Sequence, residues 1–543
     1  MRTYARRPGR AVLAVAAAVA ALALAPAGPQ PAAARPAALQ WGACPKAAPG
    51  SMPADAFECA KTTVPQDYGA PGKGRFTLAL IRHPASDRKG RLGTLFWNPG
   101  GPGDAGTRYL PVAVTGFPEE VRRRFDIVSW DPRGMGGGTT PVVQCFDSAA
   151  AEADFTAAGA PQGGVPRTDA QMTAYLDFQK RLNERCVGHA GDLLAHVSTA
   201  DNARDLDRLR QAVGEEEITY YGTSYGTFLG ATYLNMFPDH VRAAVLDGAV
   251  FPTAWAARDA SDPDLSTFLR VGSDVGAART MDEFVHRCGL AGPAKCSFAA
   301  GSVAATRQKW DDLLARITRE PVTVDGQDLD GPGLEVQVQS ALYTVRPVKG
   351  FDRFPGWSAV ADTVQEVWKA SGQPRPAGTA PPPPSSRTQQ PPASPAAAPY
   401  TTSAGRQRSV ICGESPNPGA VPEYVDQAKT SEHRAGVTGW PWAAVCAGWT
   451  ARAADPYRGP WNTAPDVPVL VVGNTFDPAT PYASSARTAR ELPGARFLTV
   501  NGFGHTELLN PSRCAQDRIS ALLTDGTLPP EGTVCRQDGT PFG

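Results

Sequence analysis

The chain has 543 residues, with 53 Lys and Arg balanced by 53 Asp and Glu, so its formal net charge is zero. That balance leaves no electrostatic footprint for nucleic acid or for an anionic membrane surface, and neither is expected as a partner. The length exceeds what one hydrophobic core usually holds, so a core with an inserted or appended domain is expected.

The N-terminus carries Arg2, Arg6, Arg7 and Arg10 ahead of an alanine-rich apolar run, Ala11 to Ala25, and then Ala32-Ala33-Ala34. A basic start, an apolar run and a small-residue cleavage site together read as a secretory signal peptide over residues 1–34, with the mature chain beginning near Arg35. The Arg6-Arg7 pair also fits twin-arginine export, but the residues after it match poorly and the general secretory route is preferred. No later segment reaches the ~18 apolar residues of a membrane span, and no cysteine ends the apolar run for lipidation. A secreted, extracellular protein is expected. Its 10 cysteines agree, because an even number in an exported chain reads as disulfides. Their spacing suggests neighbours pairing in order: Cys44 with Cys59, Cys145 with Cys186, Cys288 with Cys296, Cys412 with Cys446, and Cys514 with Cys535.

Strand candidates then alternate with helical stretches. Thr77 to Ile81 is followed by Gly93 to Trp97, which runs into Asn98-Pro99-Gly100-Gly101-Pro102-Gly103. A loop so poor in side chains lets a backbone N–H approach an oxyanion, and Gly101 is the candidate donor. Phe125 to Trp130 ends in Asp131-Pro132-Arg133-Gly134, where Asp131 and Arg133 are expected to pin a loop near that turn. A helix over Asp201 to Val213 leads to the strand Ile218 to Tyr221, and this passes through Gly222-Thr223-Ser224-Tyr225-Gly226 into a helix-like run, Thr227 to Asn235. Between strand and helix this pentapeptide is a nucleophile elbow: glycines flank a turn too tight for bulk, and a strained central residue lifts its hydroxyl above the sheet. Ser224 is the candidate nucleophile, and the amide of Tyr225 is the second oxyanion donor. One such donor is worth roughly 3 to 4 kcal/mol in the transition state. Ala243 to Leu246 ends in Asp247, a rival for the acid.

From about 251 to 445 the strand rhythm gives way to helical runs, Met281 to Arg287, Ala305 to Arg319, Glu335 to Tyr343 and Trp357 to Ala370. A proline-rich segment, residues 373–399, reads as an extended surface loop. Strands resume with Pro468 to Gly473, ending in Asn474-Thr475-Phe476-Asp477-Pro478, and then Arg496 to Val500, ending in Asn501-Gly502-Phe503-Gly504-His505. Asp477 is the candidate orienting acid and His505 the general base; the other histidines lack this strand-then-glycine setting. Ser, Asp, His is the chain order of α/β-hydrolases. The expected fold is therefore α/β, a mostly parallel sheet flanked by helices, with a large, mainly helical cap inserted before the acid and base. Residues 35–250 hold the nucleophile half of the core, 251–445 the cap and 446–543 the acid/base half. No Gly-Lys-Ser or Gly-Lys-Thr loop and no metal-spaced His/Cys cluster is present, so neither cofactor nor metal is expected.

Taken together, NPGGPG, the WDPRG segment, GTSYG, NTFDPATP and Gly504-His505 resemble the secreted tripeptidyl aminopeptidases of actinobacteria, a branch of the proline-iminopeptidase-like serine peptidases with the α/β-hydrolase fold. The resemblance runs from about Trp41 to the C-terminus and is weakest between Phe251 and Val437. It implies Ser224, Asp477 and His505 as triad, Gly101 and Tyr225 as oxyanion amides, and peptide substrates with a free N-terminus. Ser409 to Glu414 resembles the place where relatives carry an acidic residue beside a cysteine, making Glu414 the candidate anchor for the substrate amine. One departure is the run Gly136-Gly137-Gly138, where the family has a small polar residue. The expected activity is a secreted serine exopeptidase, acting as a monomer, that releases short N-terminal peptides. The alternatives are an extracellular carboxylesterase or lipase-like enzyme and a catalytically silent binding protein.

Overall fold

In the computed structural model ten strands form one sheet: β1 (Gly42–Ala43), β2 (Glu58–Pro65), β3 (Arg75–His83), β4 (Gly93–Asn98), β5 (Phe125–Trp130), β6 (Ile218–Thr223), β7 (Val241–Asp247), β8 (Val469–Phe476), β9 (Arg496–Phe503) and β10 (Val534–Arg536). The structure describes residues 36–45, 52–159, 165–258, 264–324, 326–349, 353–372, 403–436, 439–462 and 467–543. The proposed signal peptide and the proline-rich segment 373–399 lie outside them.

The sheet order is β1-β2-β3-β5-β4-β6-β7-β8-β9-β10. Pairs from β5 through β10 are parallel, while β1, β2 and β3 add an antiparallel margin. Every residue of β4, β5 and β6 is buried. Strands covered by helices on both faces carry near-continuous apolar runs, which is how these segments read in the sequence. Alternate residues serve opposite faces: Phe96, Val128, Tyr220 and Leu246 pack into one cluster, and Leu95, Ile127, Tyr221 and Val245 into the other.

Between β7 and β8 the described chain is mainly helical. Helices Ser273–Ala291, Val303–Arg319, Gly331–Ala341 and Trp357–Ser371 enclose a separate core that includes Phe284, Trp310, Leu334 and Trp357. A short hairpin, Val322–Val324 with Gln327–Leu329, interrupts the helices where no strand was expected. The helix expected over Glu335 to Tyr343 instead spans Gly331–Ala341, because Asp330 caps it by accepting the Gly333 amide at 2.8 Å. All five expected disulfides are formed and no cysteine is free. Two of them, Cys44–Cys59 and Cys514–Cys535, staple the outer strands β2 and β10. Among the described residues no helix is long and apolar enough to cross a membrane.

Candidate active site

Ser224 follows β6, Asp477 follows β8 and His505 lies two residues beyond β9, so all three candidates sit at the C-terminal ends of neighbouring parallel strands. At the elbow Ser224 adopts φ 56° and ψ −127°, a conformation that strains any residue but glycine. Three hydrogen bonds hold it there: its amide donates to the Asp247 carbonyl at 3.0 Å, and its carbonyl accepts from the Thr227 amide at 2.9 Å and the Thr227 hydroxyl at 2.5 Å. A Cβ on Gly222 would meet the Gly226 carbonyl, and one on Gly226 would meet the Asn98 carbonyl.

The loop after β4 lies directly on this turn. A Cβ on Gly100 would stand 2.7 Å from the Thr223 carbonyl, 2.9 Å from Ser224 Cβ and 3.2 Å from the Tyr225 amide nitrogen. The Gly100 amide is occupied by Asn98 Oδ1 at 3.0 Å, and the Gly101 carbonyl accepts from Gln407 at 3.1 Å. Gly101, at φ 106°, is the next residue of this loop; a Cβ there would meet the Gly103 and Asp104 amides, so it is Gly100 rather than Gly101 that touches the elbow. Tyr225 opens the helix Tyr225–Met236, where an amide has no intrahelical acceptor.

His505 Nδ1 lies 2.9 Å from each oxygen of Asp477. The carboxylate is oriented further by the amides of Ala479 and Thr480, at 2.8 and 2.9 Å, and by the Thr480 hydroxyl at 3.1 Å. This is an Asx turn; the sequence reading did not single out Thr480, although Asp-Pro-Ala-Thr is a local signal that could have found it. With Nδ1 committed to Asp477, Nε2 is the ring nitrogen left for proton transfer; it is buried and has no partner among the described residues. Tyr343 stands edge-on to the imidazole with ring centroids 5.0 Å apart, and its carbonyl accepts the His505 amide at 2.8 Å. No sequence signal identified Tyr343.

Asp247, the rival acid, has another task. Its carboxylate accepts the Glu507 and Leu508 amides at 2.8 and 2.9 Å and the Tyr221 hydroxyl at 3.1 Å, while its backbone carbonyl holds Ser224. It thus ties the histidine loop to the elbow. Burial pushes its pKa up to about 6. At the next residue, a Cβ on Gly248 would lie 3.3 Å from Asp477 Oδ2, so the three candidate segments converge on the end of β7.

Asp131 and Arg133 do not act as a pair. Asp131 accepts the Thr107 amide and hydroxyl, both at 2.9 Å, and the Gly138 amide at 2.6 Å, which fastens the residues following the glycine loop. The glycine run fits this path: Gly137 has φ 69°, and a Cβ there would collide with Asp131. Arg133 is fully buried and makes a two-pronged pair with Asp205 at 2.6 and 2.7 Å.

Glu414 lies close to the elbow, 5 % exposed and turned into the protein. Its oxygens accept the Thr199 amide and hydroxyl, both at 2.7 Å, and the Trp255 indole N–H at 2.9 Å. Thr199 Oγ1 in turn lies 2.5 Å from the Tyr225 hydroxyl. Burial raises the Glu414 pKa to about 7 despite these donors. Among the described residues no group of three or more His, Cys, Asp or Glu is placed to hold a metal ion.

A family model described as TAP-like protein matches residues 436–535, and one for the alpha/beta hydrolase fold matches residues 94–290. Serine protease Hip1 of Mycobacterium tuberculosis is 30% identical over 515 residues, spanning 92% of this chain and 91% of that protein. The chain belongs to the tripeptidyl aminopeptidase family of α/β hydrolases. Within this family the tripeptidyl aminopeptidase of Streptomyces lividans is 28% identical over 523 residues, 93% of this chain and 88% of its own. Carboxylesterase B of Mycobacterium tuberculosis is 28% identical over 508 residues, covering 91% and 89%. Kinship along nearly the whole chain makes the protein a hydrolase of this family, and the alpha/beta hydrolase match includes both the glycine loop and the elbow.

Proposed function

We propose that the protein is a secreted serine exopeptidase that releases short peptides, di- or tripeptides, from the free N-terminus of its substrates. The observation that carries this reading is the Asp477–His505 pair, with Nε2 uncommitted, on the same sheet edge as the strained Ser224. His505 Nε2 takes the Ser224 proton as Oγ attacks the scissile carbonyl carbon. The amides of Gly101 and Tyr225 receive the oxyanion. As the C–N bond breaks, His505 returns the proton to the leaving amine; water, activated by the same imidazole, then cleaves the acyl-enzyme. Asp477 holds the imidazole in the required tautomer. The block 251–445 serves as a cap over the strand ends, where ligands bind in open α/β sheets.

The test is an assay of the mature chain on a free-amine tripeptide anilide, its N-acetylated twin and a short acyl ester, with and without a serine-directed inhibitor. Inhibitor-sensitive preference for the free amine is expected. Indifference to blocking would favour the second reading, an extracellular carboxylesterase, which the likeness to Carboxylesterase B keeps in view. Glu414 needs its own experiment. An ammonium anchor there would compete with Thr199 and Trp255, whose three hydrogen bonds support a role in holding the elbow helix instead. Glu414→Gln raises KM for unblocked peptides alone if Glu414 binds the amine. It lowers kcat for blocked and unblocked substrates alike if Glu414 supports Tyr225, which is the outcome the hydrogen bonds favour.

A further inference from the structure

Four successive amides hold the turn that carries His505, and each donates to a group outside it. The His505 amide goes to the Tyr343 carbonyl at 2.8 Å, the Thr506 amide to Asp477 at 3.4 Å, and the Glu507 and Leu508 amides to Asp247 at 2.8 and 2.9 Å. The turn is strained, because Thr506 has φ 64° although it is β-branched, and such strain persists only where the surroundings enforce it. One side chain of the turn closes it from behind. Glu507 folds back so that Oε1 accepts the amide of Ser512, the cap of helix Arg513–Asp525, at 3.0 Å, while the Glu507 carbonyl accepts the Asn510 amide at 2.9 Å. Glu507 is fully buried, and its Oε2 has no hydrogen-bond partner among the described residues. The charged groups acting on it are both acids, Asp247 across the turn and Asp538 beyond β10. Tyr221, on β6, donates its hydroxyl to Asp247. Of the two buried carboxyls, Asp247 thus accepts three hydrogen bonds and Glu507 one. A charge in so dry a place settles where the donors are, so Asp247 is the member able to ionise and Glu507 the member that keeps its proton. Burial first, and then Asp247, push the Glu507 carboxyl well above the ordinary range.

We propose that Glu507 is a positioning residue for His505 and acts as a neutral carboxylic acid. Neutral, it lies beside Asp247 while that residue holds the histidine turn through the Glu507 and Leu508 amides and the elbow through the Ser224 amide. Ionised, it would set a second negative charge against Asp247 and drive the turn that bears His505 away from the residue that anchors Ser224. The proton on Glu507 therefore keeps base and nucleophile in register. The proposal rests on the Ser224–His505 chemistry set out above and is indifferent to whether the substrate is a peptide or an ester.

The test uses the mature protein with Glu507→Gln, which keeps the shape of the neutral acid, and Glu507→Leu, which keeps bulk but loses the acceptor, with Ser224→Ala as the blank. Each is assayed on a free-amine tripeptide anilide and a short acyl ester, and each unfolding midpoint is measured. Glu507→Leu is expected to lower kcat at least about tenfold on whichever substrate the wild type cleaves, with KM within about twofold, because a displaced imidazole slows proton transfer and leaves binding alone. Glu507→Gln, whose amide oxygen still accepts from Ser512, is expected to bring kcat back to within about threefold of the wild type. An infrared difference spectrum, wild type minus Glu507→Gln at about pH 8, where an ordinary carboxyl is ionised, should show the C=O stretch of a protonated carboxyl that shifts in D₂O. Should Glu507→Leu fail to fold, the Gln variant and the spectrum decide. A Gln variant as slow as the Leu variant, or a spectrum without the protonated band, overturns the neutral acid. A Leu variant with wild-type kcat, or one whose kcat and KM worsen together with a lowered midpoint, overturns the positioning role. All these results leave the hydrolase reading standing. A wild type as inactive as Ser224→Ala overturns that reading and the proposal with it.

Discussion

Gly100 shows how little room the candidate site leaves for a side chain. Its φ of 98° is foreign to residues with a Cβ, and that atom would press on the Thr223 carbonyl, the Ser224 Cβ and the Tyr225 amide. Gly100→Ala is therefore expected to shift the glycine loop off the elbow and move both proposed oxyanion donors. Losing one such donor costs about 10²- to 10³-fold in kcat, so a fall of at least tenfold is expected with KM nearly unchanged. Steady-state kinetics on an ester and a peptide would check it, and an alanine variant with full kcat would remove this loop from the mechanism. Asp477→Asn tests the other side of the site. An amide facing Nδ1 favours the wrong imidazole tautomer, and a loss of about 10⁴-fold in kcat is expected with the fold intact. Retained activity would mean that another group orients His505.

At the scale of elements, Asp247 links strand ends that are far apart in sequence, joining the elbow after β6 to the loop after β9. Asp247→Asn puts an N–H₂ group where the carboxylate now accepts from a neighbouring amide or hydroxyl, at a cost of about 1–3 kcal/mol. The unfolding midpoint should fall, and kcat should fall with it because the histidine loop loses its tie. A variant with a normal midpoint and normal kcat would show that the loop is held by other means. This clamp also marks the boundary of what the sequence made legible. Ser224, Asp477 and His505 stood out because each follows a buried apolar strand through a short turn, and local pattern records that. Asp247 was visible only as a rival acid, since the Glu507 and Leu508 amides it accepts lie about 260 residues away. Strands β1, β2 and β10 escaped notice because sheet-edge strands are short or half-exposed and lack a continuous apolar run. Glu414 was found through its setting beside a cysteine, but only the fold brings Thr199 and Trp255 to it, 215 and 159 residues distant in the chain.

For the molecule as a whole, several carboxyl groups have been drawn inside without a matching cation. Burial pushes Asp131 and Asp247 up to about 6 and Glu414 up to about 7. Each of these groups holds its proton in the folded chain at a pH where the unfolded chain, with ordinary values near 4, has released it. The native state then binds more protons than the unfolded state, and stability falls as pH rises. Their contribution is fully present below about pH 4 and is lost as pH climbs through 6 to 7. His83 works the other way: burial lowers its pKa, so it takes stability away as pH drops below the ordinary histidine range. Burial also raises Asp205, Glu335, Glu432 and Glu507, so the raised carboxyls outnumber the lowered His83 and Asp207 and set the sign. The thermal unfolding midpoint is expected to be higher at about pH 5 than at pH 8. Glu414→Gln supplies the control, because a neutral amide at that position removes the group with the highest of the three values. Its midpoint should change less between the two pH values than that of the wild type. A wild type that gains stability from pH 5 to pH 8, or a variant with an undiminished slope, would show that these buried carboxyls do not govern the pH response.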